Sequence, residues 1–165
     1  MSSSKRAPIF RTASDLLAYI QSTGAKQVVL SNGCFDPLHV GHVRYLQSAK
    51  EKGDFLIVAL NDDESTRKIK GTRRPALNES DRAAVLSSIR WVDAVLLFPE
   101  PDVCVLLETL RPRRHAKGTD YTVDNVPELE TSKRLGIETV IVGDPKSHAS
   151  SDVLAKIRDL EKKSE

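Results

Sequence analysis

The fold prediction starts from one stretch of the sequence, Ser31-Asn32-Gly33-Cys34-Phe35-Asp36-Pro37-Leu38-His39-Val40-Gly41-His42. An apolar run, Gln27 to Leu30, precedes the stretch and predicts a β-strand. An amphipathic segment, Val40 to Lys52, overlaps its end and predicts an α-helix that stops at Gly53. Where a buried strand leads into a helix, the backbone amides at the helix N-terminus are free to bind an anion. We therefore expect a ligand site at this turn.

The rest of the chain repeats this alternation of short apolar runs and longer amphipathic segments. Such alternation is typical of a parallel sheet that is covered by helices. We predict an α/β fold with a Rossmann-like, doubly wound sheet of about five parallel strands. The four further strand candidates are Phe55 to Leu60, Ala94 to Phe98, Arg114 to Lys117 and Thr139 to Val142.

Capping residues and prolines give the expected helix boundaries. Ser14 is the expected N-cap of a helix that runs to Thr23 and stops at Gly24. Asn78 is the expected start of another helix, because its side chain can accept from the first free amides. Further helices are expected with Pro101 and Pro127 in their first turns, and a last helix from Ser150 or Ser151 that buries Val153, Leu154 and Ile157.

Length and hydropathy bound the domain organisation and the location. At 165 residues, the chain fits one domain, with residues 1–10 expected as an N-terminal extension and 161–165 as a frayed end. Its apolar runs are far shorter than the ~20 residues that a bilayer span needs. No apolar signal-peptide core follows Lys5 and Arg6. We therefore predict a cytoplasmic protein without a membrane partner.

Cysteine content and charge exclude other classes. Cys34 and Cys104 are too few and too distant for a metal knuckle or a disulfide framework, so both are expected as free thiols. A net charge of +2 and 5% aromatic residues do not predict nucleic-acid binding. The basic residues between Arg111 and Lys117 leave that class open to a test of salt-sensitive binding.

The two histidines at the start of the predicted helix are the first candidates for chemistry. His39 and His42 are three residues apart, so their side chains lie on one helix face and can reach one ligand. Gly41 lets a phosphate approach the backbone between them. The spacing alone also fits structural histidines. A zinc site would need further ligands, and His115 and His148 complete no known pattern.

The stretch Gly33-Cys34-Phe35-Asp36, followed by His39-Val40-Gly41-His42, resembles the signature of the cytidylyltransferase-like nucleotidyltransferases, the His-x-Gly-His type. The similarity extends through Asn61-Asp62-Asp63, Lys70-Gly71, Arg74-Pro75, Arg82 and the run Lys117-Gly118-Thr119-Asp120-Tyr121. It covers most of the chain after Lys26. Within this superfamily, the last run is most similar to D-glycero-β-D-manno-heptose 1-phosphate adenylyltransferases in their stand-alone form.

The resemblance implies that a sugar phosphate oxygen attacks the α-phosphorus of ATP and expels pyrophosphate in one in-line step. Because that nucleophile is already an anion, no general base or covalent intermediate is expected, and positioning and charge stabilisation carry the catalysis. Mg²⁺ is expected as a cofactor that arrives with ATP, with Asp36 or Asp63 at most in supporting positions. No dedicated protein metal site is predicted.

The resemblance also implies the residues of the site. The expected catalytic residues are His39, His42 and Lys117. The expected nucleotide- and phosphate-binding residues are Ser31, Asn32, Gly33, Cys34, Phe35, Asp36, Gly41, Lys70, Arg74, Ser150 and Ser151. The expected sugar-phosphate-binding residues are Asn61, Asp63, Gly118, Asp120 and Tyr121.

Two alternatives remain open from the sequence. Glycerol-3-phosphate cytidylyltransferases share the first motif, and Ala149 stands where the similar adenylyltransferases carry serine, which bears on ATP against CTP. A nucleotide-binding module without turnover is the other alternative, because fold does not determine function. The expected partners are ATP and a sugar 1-phosphate, a second copy in a homodimer, and a separate sugar kinase upstream.

Overall fold

Strands and helices alternate along residues 6–145 and 149–162, which the structure, a computed structural model, describes. The strands are β1 (Ile9–Phe10), β2 (Val28–Gly33), β3 (Phe55–Asn61), β4 (Ala94–Phe98), β5 (Arg114–Lys117) and β6 (Glu138–Ile141). The helices are α1 (Ala13–Thr23), α2 (Val40–Lys50), α3 (Asp63–Lys70), α4 (Glu79–Ser87), α5 (Cys104–Leu110), α6 (Leu129–Leu135) and α7 (Ser150–Lys162).

The strands form one sheet in the order β1-β4-β3-β2-β5-β6, and every pairing is parallel. The winding starts at β2, moves through β3 and β4 on one side, and then returns to β5 and β6 on the other. At such a switch point the helices that follow neighbouring strands diverge and leave a crevice above the strand ends. The turn at residues 31–42 therefore leads directly into the crevice.

Two hydrophobic layers cover the sheet. Side chains alternate between the faces of a strand, so Leu30 packs with α1 and α5, whereas Val29 packs with α2 and α4. Strands β3 and β4 are buried along their whole length because both of their faces are covered. This explains why their sequences are continuous apolar runs, and it confirms the predicted α/β, doubly wound fold.

The sheet has six strands instead of about five. The additional strand, β1, pairs Ile9 and Phe10 with Val95 and Leu96 at the sheet edge. A strand of two residues is too short to show a periodic pattern, so hydrophobic periodicity does not predict it. Part of the expected N-terminal extension thus belongs to the sheet. At the other end, α7 continues through Lys162, and residues 163–165 lie outside the described residues, as do 1–5.

Several helix boundaries differ from the predicted ones. Thr12, not Ser14, caps α1, since its side chain accepts a hydrogen bond from the amide of Asp15. Helix α2 ends at Lys50, two residues before the predicted end. The stops at Gly24 and the cap at Asn78 are confirmed: Gly24 adopts a left-handed conformation, and Asn78 accepts from the amide of Asp81.

The prolines and the last helix also need correction. Pro101 and Pro127 precede the N-caps Val103 and Glu128, so neither lies in a first helical turn. Helix α7 does begin at Ser150, as predicted, but it buries its apolar residues incompletely. Ile157 is 47% exposed. Within the described residues, every helix is too short or too polar to cross a bilayer.

Candidate active site

A cavity of about 510 Å³ lies over the carboxyl ends of the central strands, at the switch point of the sheet. The ends of β2, β3, β5 and β6 contribute to its walls, together with the first residues of α2 and α7. It brings together most of the residues predicted from the sequence. These are Asn32, Gly33, Cys34, Phe35, Asp36, His39, Gly41, His42, Asn61, Lys70, Arg74, Lys117, Gly118, Asp120, Tyr121, Ser150 and Ser151.

Two predicted residues do not line this cavity. Ser31 is still inside β2, where it is fully buried and its hydroxyl donates to the Ile57 carbonyl at 3.3 Å. Asp63 starts α3, and its carboxylate accepts from the Arg82 guanidinium at 2.7 Å. Ser31 lies too early in its strand to reach the cavity and Asp63 is turned towards a buried arginine, so their binding roles stay predictions without support from the cavity.

The histidine pair lies at the start of α2, on the cavity wall. His39 is the N-cap residue, and its backbone amide donates to Nδ1 of His42 at 3.3 Å. The two rings stack with their centroids 3.8 Å apart, and the Phe35 ring meets His42 edge-on at 5.0 Å. Because Nδ1 of His42 accepts, the proton of its neutral ring is on Nε2, where it can donate to a ligand.

Burial keeps the His42 ring neutral. Burial, followed by the positive charges of His39 and Lys70, lowers the pKa of His42 to about 4, against a smaller opposite effect of Asp120. A pKa so far below 7 means that His42 donates a hydrogen bond as a neutral imidazole at physiological pH. Lys70, the last residue of α3, supplies a full positive charge nearby.

Arg74 and Asp36 close the turn that precedes α2. The Asp36 carboxylate is buried and accepts from the Arg74 Nε at 2.6 Å and from the amides of Ala76 and Leu77 at 2.8–2.9 Å. Burial raises the pKa of Asp36, but these amide and guanidinium bonds outweigh burial and hold the pKa below its usual value. Arg74 thus reaches the cavity, but its charge is already paired.

Arg82 holds the loops under the cavity, although the prediction gave it no site role. Its side chain is fully buried and donates to the carbonyls of Leu77, Cys34 and Asn61 at 2.8–2.9 Å, as well as to Asp63. One side chain therefore connects the ends of β2 and β3 with the start of α4. Its match to the family pattern was the signal that could have found it.

Lys117 forms a buried network at the end of β5. Its Nζ lies 3.2 Å and 3.4 Å from the two carboxylate oxygens of Glu128 and 3.3 Å from Oδ1 of Asn32. The Tyr121 ring centroid is 4.8 Å from the same nitrogen. Nε2 of His115 lies 3.1 Å from Oδ1 of Asn32. The side-chain oxygen of Asn32 thus accepts from Lys117 and lies within hydrogen-bond distance of His115.

Other predicted residues have partly structural contacts. The Ser150 hydroxyl donates to the Pro37 carbonyl at 2.9 Å and so fixes the start of α7 beside the first turn. The Asn61 amide donates to Ser65 and to the Glu100 carbonyl. A Cβ atom on Gly33 would lie 3.2 Å from the Phe35 ring, so this glycine makes room for the aromatic ring.

Several residues of this region were not among the predicted site residues. The Thr119 hydroxyl donates to the Asp144 carbonyl at 2.6 Å. Arg44 forms an ion pair with the Asp144 carboxylate at 3.4 Å. All three line the cavity. Thr119 lies within the Lys117 to Tyr121 run, so position could have indicated it. For Glu128 and His115 the sequence offered no signal. Across residues 6–145 and 149–162, no cluster of three or more His, Cys, Asp or Glu side chains is arranged to hold a metal ion.

The buried histidine predicts a pH dependence of stability. Burial, and then the charge of Lys117, lower the pKa of His115 to about 3. Between pH 6.5 and 3 the unfolded chain therefore binds a proton at this position that the folded chain does not. The free energy of unfolding falls by about 1.4 kcal/mol per pH unit from this group as the pH decreases. We expect denaturant titrations between pH 6.5 and 4.5 to show that the free energy of unfolding falls less steeply with decreasing pH in His115→Gln than in the wild type. Equal pH dependences of the two proteins would contradict this.

The sequence of the chain matches a known family over most of its length. Residues 30–157 match the family model described as cytidylyltransferase-like. The Bifunctional protein HldE of Geotalea uraniireducens is 44% identical over 149 residues, and that of Geobacter sulfurreducens is 40% identical over 146. Each match covers 87% of this chain but 30% of the relative. The chain thus spans about a third of the length of these relatives.

Solved structures share the fold. A lipopolysaccharide core biosynthesis protein from Thermoplasma volcanium superposes with a TM-score of 0.60 at 26% identity, covering 72% of this chain and 98% of the other. Pantothenate synthetase from Thermus thermophilus superposes with a TM-score of 0.66 at 16% identity, covering 88% and 67%, and this likeness shows the fold alone. With the matched family model, the crevice and the histidine pair in agreement, the chain belongs to the cytidylyltransferase-like family and is a nucleotidyltransferase.

Proposed function

We propose that this protein transfers AMP from ATP to D-glycero-β-D-manno-heptose 1-phosphate and releases ADP-heptose and pyrophosphate. The observation that carries the proposal is the stacked histidine pair at the N-terminus of α2, with a neutral His42 ring, on the wall of a cavity at the strand ends. The run Lys117-Gly118-Thr119-Asp120-Tyr121 and the relatives named HldE support the choice of acceptor.

In the proposed reaction, an oxygen of the sugar phosphate attacks the α-phosphorus of ATP, and the bond from this phosphorus to the pyrophosphate oxygen breaks. His39 and His42 donate hydrogen bonds to the triphosphate and stabilise the charge that grows on the departing oxygen. Lys70 and the free amides at the starts of α2 and α7, including those near Ser150 and Ser151, bind further phosphate oxygens.

Magnesium is part of this proposal as an ion that arrives with ATP. Mg²⁺ prefers oxygen ligands, retains several waters and is often held by substrate phosphates with few protein ligands. The carboxylates of Asp36 and Asp63 are poor candidates for support, because Arg74 and Arg82 already pair with them. The ion would be held by triphosphate oxygens and water, and it would offset the negative charge of the phosphates.

The remaining residues of the cavity have proposed roles on the acceptor side. Asp120 and Tyr121, with the backbone of Gly118, follow β5 and are proposed to contact the sugar phosphate. A Cβ on Gly118 would lie 2.8 Å from an Asp120 carboxylate oxygen, so a larger residue at this position would require Asp120 to shift. A cytoplasmic location, a homodimer and a separate sugar kinase stay predictions.

A substrate matrix tests the proposal. We expect purified protein with Mg²⁺ to release pyrophosphate from ATP only when D-glycero-β-D-manno-heptose 1-phosphate is present, and to do so poorly with CTP or with glycerol 3-phosphate. Turnover restricted to CTP and glycerol 3-phosphate would instead assign the cytidylyltransferase reaction. Nucleotide binding without pyrophosphate release from any pair would favour a module without turnover.

A further inference from the structure

The cavity has two chemically different walls, one on each side of the sheet. His39 and His42 belong to α2, which packs on the face that contains Val29. Asn32 lies two residues after Leu30 and therefore on the opposite face, which α1 and α5 cover. On that side, Asn32, Lys117, Tyr121 and Glu128 form what we call the glutamate wall.

The charges of the glutamate wall cancel locally. Glu128 is 3% exposed and Lys117 is 6% exposed, and the two form an ion pair at 3.2 Å. Asn32 and the Tyr121 ring hold the same ammonium. A phosphate that approached this wall would meet a carboxylate beside a cation that is already neutralised. The opposite wall, formed by His39 and His42 and called here the histidine wall, differs in charge. Lys70 is near enough to His42 to lower the pKa of that ring.

Glu128 has capacity for another hydrogen bond. A carboxylate offers about four lone-pair positions and no donor, and both of its recorded side-chain bonds come from one ammonium. It lines the cavity. A buried ion pair contributes little to stability compared with apolar packing, so folding alone gives little reason for one at this position. An acceptor-only group that faces a ligand cavity is suited to a ligand hydroxyl.

We propose that Glu128 recognises the acceptor substrate by accepting a hydrogen bond from one of its hydroxyl groups, with Lys117 fixing the carboxylate in place. This inference rests on the proposed function, which supplies a phosphorylated acceptor with hydroxyl groups. Glu128 is the residue that binds one of these hydroxyl groups. The triphosphate then lies against the histidine wall. The acceptor lies between the two walls, with its phosphate towards the histidines.

The test compares Glu128→Gln with Glu130→Gln. Gln keeps the size of the side chain but removes the charge, and Glu130 lies two residues further along, with its side chain 90% exposed. We expect Glu128→Gln to raise the KM for heptose 1-phosphate by about ten-fold or more, since hydrogen bonds to charged groups are the stronger ones. The KM and Kd for ATP should stay within two-fold, and Glu130→Gln should match the wild type throughout.

Two results would overturn the inference. An unchanged KM for the acceptor in folded Glu128→Gln would do so while leaving the proposed function intact. A ten-fold tighter Kd of Glu128→Gln for ATP would also do so, because it would mean that the Glu128 carboxylate repels the triphosphate and therefore lies against it. If the wild type used another phosphorylated acceptor, the proposed function would fail, and the same KM comparison on that acceptor would still decide the inference. Glu128→Asp, which keeps the charge, serves as a second variant if Glu128→Gln does not fold.

Discussion

His42→Ala is expected to lower kcat by about 100-fold to 1000-fold, the usual loss when one preorganised donor to a developing oxyanion is removed. The ring of His42 is neutral, its Nδ1 is fixed by the His39 amide, and its Nε2 carries the proton. Alanine removes this donor but leaves the helix, because alanine has the highest helix propensity. Steady-state pyrophosphate release at saturating ATP and acceptor measures the effect.

Gln47→Ala is the matched control for this variant. Gln47 lies on the same helix, exposed and outside the cavity lining. The kcat of Gln47→Ala should therefore equal that of the wild type. Circular dichroism and the melting temperature should show that both variants are folded. If His42→Ala retained kcat within three-fold while melting much earlier, the histidine would have only a packing role.

Arg82→Met is expected to lower the free energy of unfolding by about 3–5 kcal/mol, as the loss of one partner from a buried charged network does. The substitution removes the guanidinium donors from the carbonyls of Cys34 and Asn61, of which the Asn61 carbonyl keeps only the longer bond from the Thr66 hydroxyl, and it leaves Asp63 without its cation. For a chain of this length, the loss corresponds to a decrease in melting temperature of roughly 10 °C. Urea titration with a fixed m-value measures it.

Arg67→Met is the control for the same change in side chain on the surface. Arg67 is exposed on α3, and its replacement should change stability by no more than about 0.5 kcal/mol. Equal effects of the two substitutions would contradict the role of Arg82 as the connection between β2, β3 and α4. Arg82→Lys should recover only part of the loss, because lysine cannot reproduce the planar set of donors.

The sequence was sufficient for the parts of the fold that depend on hydrophobic pattern. Strands β4 and β5 were predicted to the residue; β4 is a continuous apolar run between polar turns, whereas β5, Arg114-His115-Ala116-Lys117, is not such a run. Helix α3 was missed, since Ile69 is its only large apolar residue and is 43% exposed. Its signals were the Asp62 cap and the order of acidic then basic residues, which a search for periodicity overlooks.

The motifs predicted which residues line the cavity. They did not predict which of these residues form ion pairs with each other. Residues at the ends of parallel strands converge on one crevice, so most of the predicted set lines the cavity. No sequence rule indicates that Arg74 pairs with Asp36 across 38 positions, or that Glu128 neutralises Lys117. These contacts depend on loop conformation, and they change which cations remain available for phosphate.

The fate of the α-phosphate of ATP distinguishes adenylyl transfer from hydrolysis and from nucleotide binding alone. The protein is incubated with Mg²⁺, ATP labelled in the α-phosphate and D-glycero-β-D-manno-heptose 1-phosphate. The products are then separated and identified by mass spectrometry. We expect the label to appear in ADP-heptose, with one pyrophosphate released for each molecule formed. Label that stays in ATP, or that appears only in AMP or ADP without a sugar nucleotide, would contradict it.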